Sequence, residues 1–428
     1  MFKCGVSQKC ITPELGMSIP GYFDDRKITG VKDELYAKAI AIDSDDTAAI
    51  IITCDTINLN TEDTDAIRNA ISEKCGVPYG NIIVHASHTH TGGPTWAGFN
   101  TKRDAKYLDM LISAAVEAGV SAYNARIPAK FGAKTGKAEG ITFIRRFFFK
   151  DGHVVTNPKP DDPNKVRPEG EPDETYTLFK ITDLSGNIIA FWSSFGLHLD
   201  TVSGNEVCAD YPAALARRVA KKYGKNVMSI FMTGPCGNLN HFDHSNLETY
   251  TNPDIREKIA DVLFDELCAL EAEIEMSEEA PIKAVSRKFN VGLRKPTESQ
   301  VKYAKGVLDG TIDEGGSKMR DPKLFSRMLL DVANNPASET TLEVNRVQIG
   351  DTNLIAWPGE IFCDFGQEIR SEITGDLMIA ELSNGTVRCY IPTEQAFKNG
   401  GYEPDLVDPF SLAENAGDMI VEQTRKMF

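Results

Sequence analysis

The chain predicts an α/β fold with helices layered against a sheet. Apolar β-type runs alternate with segments of helical apolar spacing, and the alternation occurs twice along the 428 residues. In the first set, residues 48–53 form a β-type run, and residues 61–74 carry Ile67, Ala70 and Ile71 at helical spacing. The β-branched Ile82, Ile83 and Val84 then predict a strand over 81–87, closed by the turn Gly92-Gly93-Pro94. Residues 103–122 predict a helix, with Leu108, Leu111, Ile112, Ala115 and Val116 on one stripe. The second set places strands near 188–197 and 226–232 and helices at 211–222 and 254–272.

Residues 150–175, rich in Pro, Asp and Lys, read as a long exposed loop. Between 296 and 337 the pattern turns polar and helical, interrupted by Gly310, Gly315 and Gly316, which predicts a small helical insertion. Short β-type runs at 342–349 and 353–357 lead into a helix over 361–373, and strand-like and loop-like pieces alternate from 377. No internal repeat or low-complexity tract interrupts the chain, whose length allows one large or two ordinary domains.

Lysine and arginine total 46 against 62 acidic residues, a net charge of −16. That balance argues against nucleic acid and anionic membrane surfaces as main partners. The nine cysteines are scattered and form no Cys-x-x-Cys, which suggests neither a disulfide framework nor a thiolate zinc site. With no signal-type or membrane-length apolar run, a reduced cytoplasmic protein without stable membrane association is expected. The oligomeric state is not readable.

Two β-type runs end in histidines. The first leads to His88-Thr-His90, where an extended chain would turn both imidazoles to one face. The second, 188–197, ends at His198, a few residues before Ala209-Asp210-Tyr-Pro. Pro358-Gly-Glu360 breaks a third run, and a carboxylate there would lie at a helix start, where it could simply complement the helix dipole. Tyr390 and Tyr402 bracket a turn-rich segment. Each feature alone has an ordinary packing explanation.

Together, these blocks are similar to those of the neutral/alkaline ceramidase family. They are His88-Thr-His90-Thr-Gly-Gly, Ile144-Arg145-Arg146, His198 with Ala209-Asp210-Tyr-Pro, Gly234-Pro-Cys-Gly-Asn-Leu-Asn240, Pro358-Gly-Glu360 and Tyr390 through Tyr402. They follow the family's order across roughly residues 5 to 410. The resemblance implies a single domain over 1–428 with the ceramidase catalytic-domain fold, mixed β-sheet layers flanked by helices, and one zinc ion held by His88, His198, Glu360 and Tyr390. It gives His90, Arg145 and Tyr402 substrate-facing roles. Two imidazoles and a carboxylate suit a catalytic zinc site that leaves room for water. Zinc lowers the pKa of that water and polarises a carbonyl, which suits amide or ester hydrolysis. A tyrosine beside the metal could ligate it weakly or donate to a developing oxyanion.

The chain departs from the family where Gly-Asp-x-Ser-Pro becomes Gly237-Asn238-Leu239-Asn240-His241. Asn240 replaces the serine and cannot act as a nucleophile, though it can hydrogen-bond substrate. Ile144 stands where an asparagine is usual. No amphipathic docking segment for a bilayer is evident, so a small or carbohydrate-linked acyl substrate is expected rather than ceramide. His90, a tyrosine or Asp210 could serve as general base. Two alternatives stay open: Cys236 as the nucleophile of a hydrolase, and a zinc protein without catalysis.

Overall fold

The computed structural model describes residues 1–44, 47–246, 252–312, 321–385, 387 and 389–428. Its centre is an eight-stranded sheet. The strands lie in the spatial order Met228–Thr233, Ile188–Phe195, Thr175–Asp183, Ile127–Lys137, Lys3–Cys10, Tyr36–Ser44, Thr47–Cys54 and Ile82–Ala86. Pairing is antiparallel through the middle and parallel at both edges. A four-stranded sheet, Ile282–Gly292, Glu339–Ile349, Thr352–Ala356 and Leu377–Ala380, packs against one face.

The layering explains the unbroken apolar runs. Side chains alternate across a strand. Ile50 and Ile52 accordingly point to helices Thr61–Cys75 and Ala105–Asn124, while Ile51 points into the second sheet. Ile82 and Val84 divide from Ile83 in the same way. A strand covered on both faces has no polar side to present, so its sequence loses the period-two signal. Helices Asp210–Tyr223 and Ile255–Glu273 cover the other half of the large sheet. Cys363–Glu372 and Ala416–Arg425 cover the outer face of the small one. The order is therefore helix, sheet, sheet, helix.

The large sheet curls until its two edge strands meet. The Thr233 amide donates to His85 Nε2 at 3.2 Å, and the Thr233 hydroxyl donates to the Ser87 carbonyl at 2.6 Å. The second sheet closes the seam, with the Glu381 amide donating to the Thr233 carbonyl at 2.9 Å. The carboxyl ends of Ile82–Ala86, Ile188–Phe195, Met228–Thr233 and Leu377–Ala380 thus open onto one place, where α/β folds gather their chemistry.

Three local expectations change. Residues 150–175 are not an open loop, because Val154–Thr156 and Lys165–Pro168 flank Arg146–Phe149 in a three-stranded sheet. Glu360 begins no helix: Glu360–Ile361 pairs in parallel with Tyr390–Ile391, and the helix starts at Cys363. The expected helical insertion contains Glu298–Asp309 and Pro322–Asn334, while Gly315 and Gly316 lie outside the described residues. Among the described residues no helix is long and apolar enough to cross a membrane.

Candidate metal centre

His88 and His90 meet because the strand stops before them. It ends at Ala86, and His88 takes a left-handed backbone, φ +72°. Such a φ is uncommon outside glycine and clusters at functional sites. The expected extended pair, with both rings on one face, is therefore replaced by a turn. The two rings stand nearly perpendicular, with Nε2 atoms 3.4 Å apart. His198 follows Ile188–Phe195, and one ligand atom from each of His88, His90 and His198 lies within 4.8 Å of the others. That spacing can hold a metal ion.

Glu360 completes the cluster. Its Oε2 lies 3.2 Å from His88 Nε2 and 3.3 Å from His198 Nε2, yet it is buried with no aligned hydrogen-bond donor. Tetrahedral zinc with bonds of about 2.0–2.1 Å would set its ligands about 3.3–3.4 Å apart. The observed separations match that edge length. Gly237 makes the approach possible, since a Cβ there would sit 2.3 Å from the Glu360 carbonyl oxygen.

The ring tautomers can be assigned from the partners. His88 Nδ1 lies 2.9 Å from the Ile57 carbonyl, and His90 Nδ1 lies 3.1 Å from the Gly21 carbonyl. A carbonyl only accepts, so each Nδ1 carries a hydrogen and each Nε2 is the ring nitrogen turned inward. Burial lowers His90 to about 3. Burial, then the Arg145 charge, lower His198 to about 3. Burial also opposes charge on His88, but the Glu360 carboxylate outweighs it and raises His88 to about 9. Burial likewise disfavours the Glu360 carboxylate, yet His88 and His198 hold it well below the usual range. A cation would take the place of that shared proton.

Arg145 is buried. Its Nε donates to Glu403 at 3.0 Å, Nη2 donates to the Gly237 carbonyl at 2.6 Å, and Nη1 lies 3.4 Å from His198 Nε2. Arg146 is also buried and ties Glu403 to Glu169 and the Gly400 carbonyl. The Tyr390 and Tyr402 hydroxyls are 2.6 Å apart, with the Arg145 guanidinium 4.9 Å and 5.3 Å from their ring centres. Tyr402 is 37% exposed, so this end of the tyrosine pair reaches solvent.

Two residues have structural duties. The Asn240 amide donates to Asn157, and its side-chain oxygen accepts from the Phe242 amide at 2.9 Å. Asp210 accepts from Thr201, Val202 and Tyr211, which fixes the loop after His198. Its oxygens are committed there, which disfavours it as a base. Cys236 is buried, its thiol donates to Glu381 at 3.0 Å, and burial followed by the Glu381 charge push it well above the usual thiol range. An activated thiol nucleophile needs the opposite environment.

Sequence reasoning missed Glu381, Glu403, Tyr22 and Asp200. Glu381 left one trace, a carboxylate directly after the apolar strand Leu377–Ala380. The Tyr22 hydroxyl donates to Asp200, which stands 4.0 Å from His90 Nδ1. A cleft of about 670 Å³ along Glu298–Asp309 shares no lining residue with the histidine cluster.

No family model matches the chain. Among curated proteins, neutral ceramidase A of Dictyostelium discoideum is 25% identical over 240 residues, covering 52% of this chain and 31% of that protein. The match thus spans under a third of the relative's length. Among solved structures, neutral ceramidase from Pseudomonas aeruginosa aligns with a TM-score of 0.73 at 16% identity, covering 100% of this chain and 74% of that one. A ceramidase complexed with C2 aligns at 0.72 and 15% identity, covering 100% and 76%. The chain has the neutral ceramidase fold.

Proposed function

We propose that this chain is a zinc-dependent hydrolase that cleaves an amide or ester bond of a small or carbohydrate-linked acyl substrate by attack of water. His88, His198, Glu360 and Tyr390 would hold one zinc ion. The observation that carries this reading is the buried Glu360 Oε2, which faces the Nε2 atoms of two imidazoles at 3.2 and 3.3 Å without an aligned donor. Electron-rich atoms held that close need a proton or a cation between them. Two imidazoles and a carboxylate are a donor set that zinc accepts. When bound, zinc polarises a substrate carbonyl and lowers the pKa of water.

The chain's own groups supply the rest. His90 is neutral, carries its hydrogen on Nδ1 and offers Nε2 as an acceptor inside the cluster, a position suited to taking a proton from water. The Tyr402 hydroxyl donates to the Tyr390 hydroxyl, leaving the Tyr390 O–H free to donate, and the fixed charge of Arg145 beneath both rings favours developing negative charge. Asn240 takes no covalent part. Its amide keeps Asn157 and the following turn in place.

The test joins metal content to turnover. Purified protein should contain one zinc per chain and hydrolyse p-nitrophenyl esters or acyl-anilides, with loss of activity to a chelator. His88→Ala should contain little zinc. Equal, low zinc in the wild type and His88→Ala would overturn the metal assignment. One zinc with no turnover across a broad acyl panel would overturn the hydrolase assignment.

A further inference from the structure

Behind His198 lies a buried hydrogen-bonded train that the hydrolase reading does not use. His198 Nδ1 lies 3.4 Å from Cys236 Sγ. Cys236 Sγ donates to Glu381 Oε1 at 3.0 Å, and the Cys236 amide donates to Glu381 Oε2 at 3.1 Å. Cys236 and Glu381 have no exposed surface. Glu381 is itself anchored through its amide to the Thr233 carbonyl, across the seam of the curled sheet.

Counting hydrogens gives the train a direction. A thiol has one hydrogen, and here it is given to Glu381. Sulfur therefore faces His198 only as an acceptor, so the hydrogen must sit on Nδ1. His88 and His90 achieve the same state with backbone carbonyls, whereas His198 does so with two side chains. We infer that Cys236 and Glu381 are positioning residues that fix the His198 tautomer and turn its Nε2 lone pair toward Glu360. The inference rests on the zinc reading above. Histidine ligands of metals typically donate their second N–H to such a partner, and loss of the partner weakens metal binding about 10–100-fold. No bond to Cys236 forms or breaks in this role.

Three variants of the full chain test it. Cys236→Ser keeps one donor and one acceptor and should hold zinc within about threefold of the wild type, whereas Cys236→Ala should lose the 10–100-fold range. Glu381→Gln should fall with the alanine variant. A carboxylate accepts from both the Cys236 amide and thiol, but a carboxamide must turn its NH2 toward one of them. Zinc affinity is read by competition with a chromophoric chelator. A second readout needs no metal: the ¹⁵N shifts of His198 in metal-free protein at pH 9, above the value of about 8 to which burial lifts Glu381. The wild type should show hydrogen on Nδ1, and Cys236→Ala and Glu381→Gln should lose that preference. Zinc affinity unchanged in Cys236→Ala, or an unchanged His198 tautomer in both variants, would overturn the inference. A wild type that binds no zinc but shows the expected tautomers would overturn only the metal reading.

Discussion

Glu360→Gln separates the cost of burying this carboxylate from its value as a ligand. In metal-free protein the substitution removes a buried charge whose Oε2 has no aligned donor. Without the Glu360 carboxylate, burial strips the extra proton from His88, so a charged pair becomes a neutral one in which the carboxamide donates to the imidazole, and the metal-free Tm should stay at or above that of the wild type. Replacing both charges of a buried pair by neutral groups of similar shape is often neutral or stabilising. Zinc reverses the order. Free zinc at a hundred times its Kd stabilises the wild type by about 2.7 kcal/mol. Unfolding entropy near 2.1 cal/mol/K per residue gives about 0.9 kcal/mol/K for 428 residues. The wild-type Tm should therefore rise by about 3 °C, and by about 4.6 °C at a thousandfold excess, where the stabilisation is about 4.1 kcal/mol. Glu360→Gln should show almost none of this. Differential scanning calorimetry with and without zinc, beside metal analysis of the same samples, reads both halves. A variant that gains the full wild-type shift and binds one zinc would refute the assignment of Glu360 as a ligand.

Other outcomes follow from the same geometry. Gly237→Ala would drive a methyl group to 2.3 Å from the Glu360 carbonyl oxygen, so the variant should keep its circular dichroism and lose most of its zinc and turnover. Full zinc content in that variant would show that the close approach does not place Glu360. Arg68→Met breaks the buried bidentate pair with Glu343, at 2.6 and 2.9 Å, and should cost about 3–5 kcal/mol. On the entropy above, that is a Tm loss of about 3–6 °C, and a loss under 1 °C would contradict it. Burial disfavours charge on Glu343, but Arg68 and its other partners outweigh it and hold the carboxyl below its usual value. The stability from this pair should therefore be complete above about pH 4.5 and lost as pH falls through the lower folded value. Acid titrations in which the wild type and Arg68→Met lose stability in parallel would contradict that sign.

The residue types of the centre were legible because two β-type runs ended in histidines and Pro358-Gly-Glu360 broke a third. Their arrangement was not. His88 and His90 converge through a left-handed turn, which pattern reading replaced with strand alternation. Glu360 lies on a two-residue strand beside Tyr390, too short to leave a periodic signal. The antiparallel middle of the large sheet was largely missed because Lys3–Cys10 and Ile127–Lys137 are rich in lysine, glutamine and glycine. Pairing with long neighbours holds such strands, and propensity does not record that. The curl that joins the two sheet edges depends on contacts such as Thr233 with His85, 148 residues apart. Cys236 was visible in its Gly-rich turn, but its role depended on Glu381, 145 positions away.

The backbone at His88 also limits how this centre can be rebuilt. A left-handed residue costs most L-amino acids roughly 1–2 kcal/mol, with asparagine and aspartate among the few that visit this region readily. Position 88 is therefore chosen twice, once for its imidazole and once for its tolerance of φ +72°. Glutamate or cysteine introduced there to change metal preference would begin with a conformational handicap before any ligand bond formed. An engineer wishing to retune the centre should start at His198, which is absent from the positive-φ positions.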